Sequence, residues 1–165
     1  MTLAATISLR VQALQSSALD LSTVVDTLNQ AFEQTFDDGA GANQANALWS
    51  DTRTLSSNTS ETLDLYGALT NAFGATLNFT KVRAIIIRSR SANTTVLSVG
   101  AASAPLVGPL ADATDLLTIR PGGIFMITAP DSTGIAVTNS SADGLKIANA
   151  SGAAATYDIV IIGTV

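Results

Sequence analysis

The sequence closes on Tyr157-Asp158-Ile159-Val160-Ile161-Ile162-Gly163-Thr164-Val165, and these residues constrain the fold more than any others. The run is β-branched and too apolar to stand free in water. It must pair inside a sheet, burying either Ile159 and Ile161 or Val160 and Ile162 with the pleat. A second run, Ala84-Ile85-Ile86-Ile87, is apolar at successive positions and therefore on both faces of a strand, which marks a central strand. Around these two, short apolar segments recur: Leu77 to Arg88, Thr94 to Val99, Leu116 to Arg120, Gly123 to Ala129, Gly134 to Thr138, Leu145 to Ala148 and Thr156 to Ile162. Gly, Pro and Asn turns and the longer Gly100 to Asp115 segment separate them, and no 10-residue helix is read between them. The pattern predicts an all-β chain, an antiparallel β-sandwich of jelly-roll-like kind, and disfavours a parallel α/β sheet. Phe125, Ile127, Ile135, Val137, Leu145, Ile147, Ile159 and Ile161 are its expected core.

The first 74 residues are less uniform. Ile7, Leu9 and Val11 alternate with Ser8 and Arg10, which suits an extended N-terminal arm or edge strand over residues 1–22. Residues 23–165 are expected to form the sandwich domain. Within it, Val25, Leu28, Phe32 and Phe36 have helical spacing, yet Leu28, Gln30, Phe32, Gln34 and Phe36 also share one face of a strand. Periodicity alone favours a helix over residues 23–36. Asp37-Asp38-Gly39-Ala40-Gly41 breaks the segment. One or two short helical turns are expected after it: Ala42 to Ser50, carrying Trp49, and Tyr66 to Gly74, anchored by Leu69 and Phe73. Asp51 to Leu55 and Glu61 to Leu65 read as short strands.

Composition bears on what such a domain does. Charged residues make up only 13% of the 165, so the surface is poorly equipped to keep a monomer apart from its neighbours, and much of it is expected to be covered by other subunits. A net charge of −5 argues against a nucleic-acid partner. The one basic run, Lys81, Arg83, Arg88 and Arg90, has no aromatic residues interleaved and reads as a strand end meeting acidic neighbours. No apolar stretch is long enough to span a membrane, and residues 1–14 lack the layout of a signal peptide. The four N-glycosylation sequons, at Asn58, Asn78, Asn93 and Asn139, are what chance gives in so Ser/Thr-rich a chain.

With no Cys and no His, disulfides, Cys/His zinc sites and His-based triads are excluded. Asp37-Asp38-Gly39 lacks the donor alternation and late Glu of a calcium loop, and reads as a tight turn. Gly39-Ala40-Gly41 is too short for a dinucleotide fingerprint. No pair of carboxylates stands out as a glycosidase site, and no base accompanies the many Ser and Thr residues. The expectation is a protein with no cofactor, no metal and no enzymatic activity. Trp49 admits two readings, an interface anchor or a core residue, and the core reading is favoured because Trp buries most of its area.

Several segments occur in an order that resembles a group of small structural proteins of tailed bacteriophages and prophages. They are Gly39-Ala40-Gly41-Ala42-Asn43-Gln44-Ala45, Trp49-Ser50-Asp51-Thr52-Arg53-Thr54-Leu55, Glu61-Thr62-Leu63-Asp64-Leu65-Tyr66-Gly67, Ala72-Phe73-Gly74, Arg120-Pro121-Gly122-Gly123 and Tyr157 to Gly163. The match spans roughly residues 36 to 163. The resemblance implies a capsid decoration, or cement, subunit of β-sandwich type. Such a subunit is made in the bacterial host cytoplasm and carried on the capsid surface, a homotrimer bridging copies of the major capsid protein. It also tilts residues 23–36 from helix towards strand. Contacts are expected from the arm, at Ile7, Leu9 and Val11, and from the segment bearing Asn43, Gln44 and Trp49. The alternatives are a tail, baseplate or head-fibre component that binds a receptor, and a β-sandwich enzyme or carbohydrate-binding module. The first needs exposed aromatic or polar grooves and the second needs aromatic platforms or a carboxylate pair, for which this sequence offers little.

Overall fold

The apolar runs of the second half meet across two antiparallel sheets. In the computed structural model, which describes residues 2–165, the strands are β1 (Ala5–Ala18), β2 (Thr23–Asp38), β3 (Gln44–Ala45), β4 (Ala47–Leu55), β5 (Thr59–Asp64), β6 (Tyr66–Thr70) and β7 (Thr76–Asn78). There follow β8 (Lys81–Ser89), β9 (Leu97–Gly100), β10 (Leu116–Ile119), β11 (Ile124–Thr128), β12 (Ile135–Ala136), β13 (Gly144–Asn149) and β14 (Ala155–Thr164). One sheet runs β11-β8-β14-β4, with β12 also pairing β8; the other runs β10-β9-β13-β5. The chain is all-β with the sandwich arrangement its turn spacing predicts.

Strands β8 and β14 hold the two centre positions of the first sheet, so the two most apolar runs of the sequence lie side by side, Ile87 opposite Ile159 and Ile85 opposite Ile161. All four are buried and face Leu63, Leu97, Val99, Leu145 and Ile147 of the second sheet. Phe125 and Ile127 flank this core half-buried. The register slips between Ile162 and Gly163, where a β-carbon on Gly163 would lie 2.3 Å from the Lys81 carbonyl oxygen; only glycine permits that approach. The β6–β7 hairpin closes one end with Leu69 and Leu77.

Polar ties join the sheets where apolar packing stops. The Tyr157 hydroxyl donates to Glu61 Oε1 at 2.7 Å, and Arg53 donates to Glu61 Oε2 from Nε and Nη2 at 2.9 and 2.5 Å. Burial, then the Glu61 carboxylate, pushes the Tyr157 phenol well above its usual range, so it remains a proton donor at any ordinary pH. Asn149 donates to the carbonyls of Leu55, Ser56 and Ala153 and accepts from Thr95.

Three expectations are corrected. No helix occurs among the described residues: Ala42–Ser50 contributes β3 and the start of β4, and Tyr66–Gly74 contributes β6 and a turn. Phe73 is no anchor, being 77% exposed on that turn. Residues 23–36 are strand, as the resemblance implies and against their helical spacing, and they pair with residues 5–18 in an unbroken 14-pair register, so the arm does not stop at residue 22. The arm is therefore a two-stranded ribbon that ends at Asp38, and residue 22 lies in its tip.

Candidate interaction surface

The β1–β2 ribbon is attached to the sandwich at a joint assembled from the Gly-rich segment. Its root packs on the outer face of the first sheet: Phe36, Ala45, Ala84 and Ile162 are buried together, with Leu3, Ala5, Ile7 and Val160 around them. Strand β3 lies parallel to the end of β2, Asp37 beside Gln44 and Asp38 beside Ala45. The Gly39 backbone has φ +139°, and a β-carbon there would lie 2.6 Å from Gln44 Oε1. That same oxygen accepts the Gly41 N–H at 2.8 Å. Asn43, at φ 54°, donates its N–H to the Pro130 carbonyl at 2.7 Å, and its side-chain oxygen accepts from Gln34 at 3.0 Å.

Arg83 locks this joint from beneath. It is fully buried on β8, and every acceptor it uses is a backbone carbonyl: Gln44 at 3.1 Å, Ala40 at 2.9 Å, Gly41 at 3.0 Å, and Asp131. A buried guanidinium is tolerated only when its fixed fork of donors is met, and here two loops from different parts of the chain converge to meet it. Spacing gave no sign of this role, because Arg83 stands in sequence as one member of a basic run. The other members behave as strand-end cations. Arg90 pairs with Asp158 at 2.8 Å, holding that carboxyl below its usual range, and Lys81 donates to the Ser132 carbonyl.

Beyond the joint the ribbon leaves the sandwich. Among the described residues, positions 8–33 are all exposed. The register assigns its two faces. One carries Ala5, Ile7, Leu9, Val11, Ala13, Gln15 and Ser17, opposite Phe36, Gln34, Phe32, Gln30, Leu28, Asp26 and Val24. The other carries Thr6, Ser8, Arg10, Gln12, Leu14, Ser16 and Ala18, opposite Thr35, Glu33, Ala31, Asn29, Thr27, Val25 and Thr23. The first face is mostly apolar and continues the buried root outwards. The second is mostly polar and is laced across the strands by Arg10 to Asn29 at 3.2 Å and Ser8 to Glu33 at 3.5 Å. Phe32 is 59% exposed and Leu28 45%, and Leu21 at the tip is 99% exposed. Ile7, Leu9 and Phe32 form a small groove with Met126 and Thr128 where the ribbon crosses β11.

A second concave feature is a cleft of about 520 Å³ beside the edge strand β4, lined by Leu3, Leu48, Trp49, Ser50, Asn71 and Phe73 among others. Asp51 is its sole ionisable group, so it presents no pair of groups that could share a proton during a reaction. No cluster of three or more Asp or Glu side chains is placed to hold a metal ion among the described residues.

The residues singled out from sequence fall into two sets. Ile7, Leu9 and Val11 lie together on the apolar face of the ribbon. Asn43 and Gln44 are committed to the joint, and Trp49 is 6% exposed in the core, so its side chain is not a surface anchor in the isolated chain. Leu28 and Phe32 were visible in sequence as one face of a strand, but their pairing with Ala13 and Leu9 appears only with the hairpin register. No protein-family model matches the chain, and no curated protein matches it in sequence.

Proposed function

We propose that the chain is a structural subunit of a tailed-phage virion: a capsid decoration protein that assembles as a homotrimer and bridges copies of the major capsid protein. The observation that carries this reading is the ribbon, an arm jointed to the sandwich with an uncovered apolar face. An isolated two-stranded ribbon is marginal in water, and an exposed apolar stripe of this length marks a protein–protein contact. The resemblance to phage structural proteins supplies the kind of assembly. Repeated shallow contacts on a symmetric shell give avidity without a deep pocket. The free edge of β4, beside the cleft with Phe73 at its rim, offers backbone donors and acceptors to which an extended segment of the shell protein can add.

Particles made without the protein test the reading. They are expected to assemble but to lose thermal or mechanical stability, and purified protein added back restores it, because selective binding to the assembled shell stabilises that state by mass action. Particles that are fully robust without the protein yet fail to adsorb to cells would replace the cement reading with a tail or receptor-binding one.

A further inference from the structure

We infer that the apolar face of the ribbon is covered by the same face of two further copies of this chain, three ribbons closing one apolar core about a threefold axis. The inference rests on the reading of the chain as a self-assembling subunit and gives that assembly its surface.

Charge argues for self-packing. A face that meets its own copies about a rotation axis brings each of its charges against an identical charge, so it must be nearly free of them. Asp26, near the tip, is the single ionisable side chain on the apolar face; Arg10 and Glu33 lie on the opposite face. The polar groups that interrupt the face beyond the joint are the amides of Gln15 and Gln30 and the Ser17 hydroxyl, which can both donate and accept and so can pair with their own symmetry copies. Bulk is also distributed to suit a shared core. On the open face Phe32 stands opposite Leu9, a large pair, while Leu28 stands opposite Ala13 and leaves room beside it for a neighbour's side chain.

Three is the number of copies in the proposed assembly, and area describes the core they would share. Beyond the root, about a dozen residue pairs at roughly 3.4 Å each, on two strands about 4.8 Å apart, give a face of about 400 Å². Closing three such faces on one core removes about 1,200 Å² from water in total, about 400 Å² from each copy. The polar face then points outwards on all three sides, and the tips carrying Leu19 and Leu21 gather at one end.

Sedimentation of the purified full chain at micromolar concentration tests this, alongside Leu9→Asp and Phe32→Asp on the apolar face and Gln12→Asp on the polar face. The wild type and Gln12→Asp are expected to sediment as trimers. Leu9→Asp and Phe32→Asp are expected to sediment as monomers with unchanged far-ultraviolet dichroism. A wild-type monomer or dimer overturns the three-ribbon core. A wild-type trimer that persists in both apolar-face variants overturns the ribbon as the interface while leaving the trimeric subunit standing. Because the chain has no cysteine, Leu28→Cys places a single thiol on each ribbon. Under mild oxidation it should give a covalent dimer by itself. Crosslinking only when Leu28→Cys is mixed with Met126→Cys would overturn ribbon-on-ribbon packing in favour of a ribbon lying on a neighbour's sheet.

Discussion

The ribbon and the sandwich use the same secondary structure to opposite ends. In the sandwich, alternation directs Ile85, Ile87, Ile159 and Ile161 into a core the chain completes itself. In the ribbon, the same alternation directs Leu9, Val11, Leu28 and Phe32 onto a face the chain leaves open. The difference lies in partners. Strand β14 has a neighbour on each side and a second sheet over its inner face, whereas β1 has only β2, and past its root the ribbon meets the sandwich only at the groove with Met126 and Thr128, with residues 8–33 all exposed. Local pattern therefore says which side of a strand is apolar, but only long-range pairing says whether that side is already satisfied.

Removing Ile159 to Val165 should have the largest effect. Three buried isoleucines leave with the segment, each contributing about 1.5–3 kcal/mol, together comparable with the whole net stability of a domain. The truncated chain is expected to be insoluble or to lack a cooperative thermal transition; a truncation that melts at the parent temperature would erase the contrast between the two regions.

The comparison is sharpest in a matched pair. Ile85→Ala opens a cavity in the sandwich and should cost about 2–5 kcal/mol in denaturant unfolding. Leu28→Ala removes similar bulk from the ribbon, and in the dissociated subunit should cost no more than about 0.5 kcal/mol. A large loss from Leu28→Ala in a monomeric background would mean that the ribbon is already packed within its own chain.

Arg83→Met tests the joint between the regions. The stem volume is kept, but carbonyls of Ala40, Gly41, Gln44 and Asp131 lose their donor. A loss of about 2–4 kcal/mol is expected, since the loops can rehydrate some of these groups. Faster hydrogen exchange should be confined to residues 37–46 and 130–134. Uniform exchange across the sandwich would show that Arg83 supports the sheet rather than the arm.

The smallest effect concerns Asp158, whose carboxyl is held below its usual range first by its hydrogen bond from Arg90 and then by that from Thr52. A depressed folded-state value contributes stability above the ordinary carboxylate range, about pH 4, and loses it as pH falls through the folded value. Asp158→Asn should therefore cost less than about 1 kcal/mol at pH 7, the pair being partly exposed, and the gap to wild type should close in acid. A gap that persists at low pH would assign the effect to the Thr52 hydrogen bond rather than to charge.

Much of the sandwich was legible because its signals are local. Most strands from Leu77 onwards are short apolar runs bounded by turn residues, and the two-faced run Ala84–Ile87 marked a central strand, while its pairing with the closing strand came only with the fold. The arm was only half legible. Helical spacing of Val25, Leu28, Phe32 and Phe36 competed with strand alternation, and what decided between them was the partner strand Ala5–Ala18. Trp49 was expected in a short helix and favoured as core; pairing with β14 put it in a strand instead, and the sheet buried its ring as the core reading has it. Alternation, turns and the absence of Cys and His were fixed by residue type and neighbouring positions, so the sequence by itself determined an all-β chain without disulfides or thiol and imidazole chemistry. Which apolar face stayed open, and that a buried Arg83 fastens the arm, were decided only in the tertiary structure. Burial and the satisfaction of backbone carbonyls depend on groups dozens of residues apart, which no local pattern encodes.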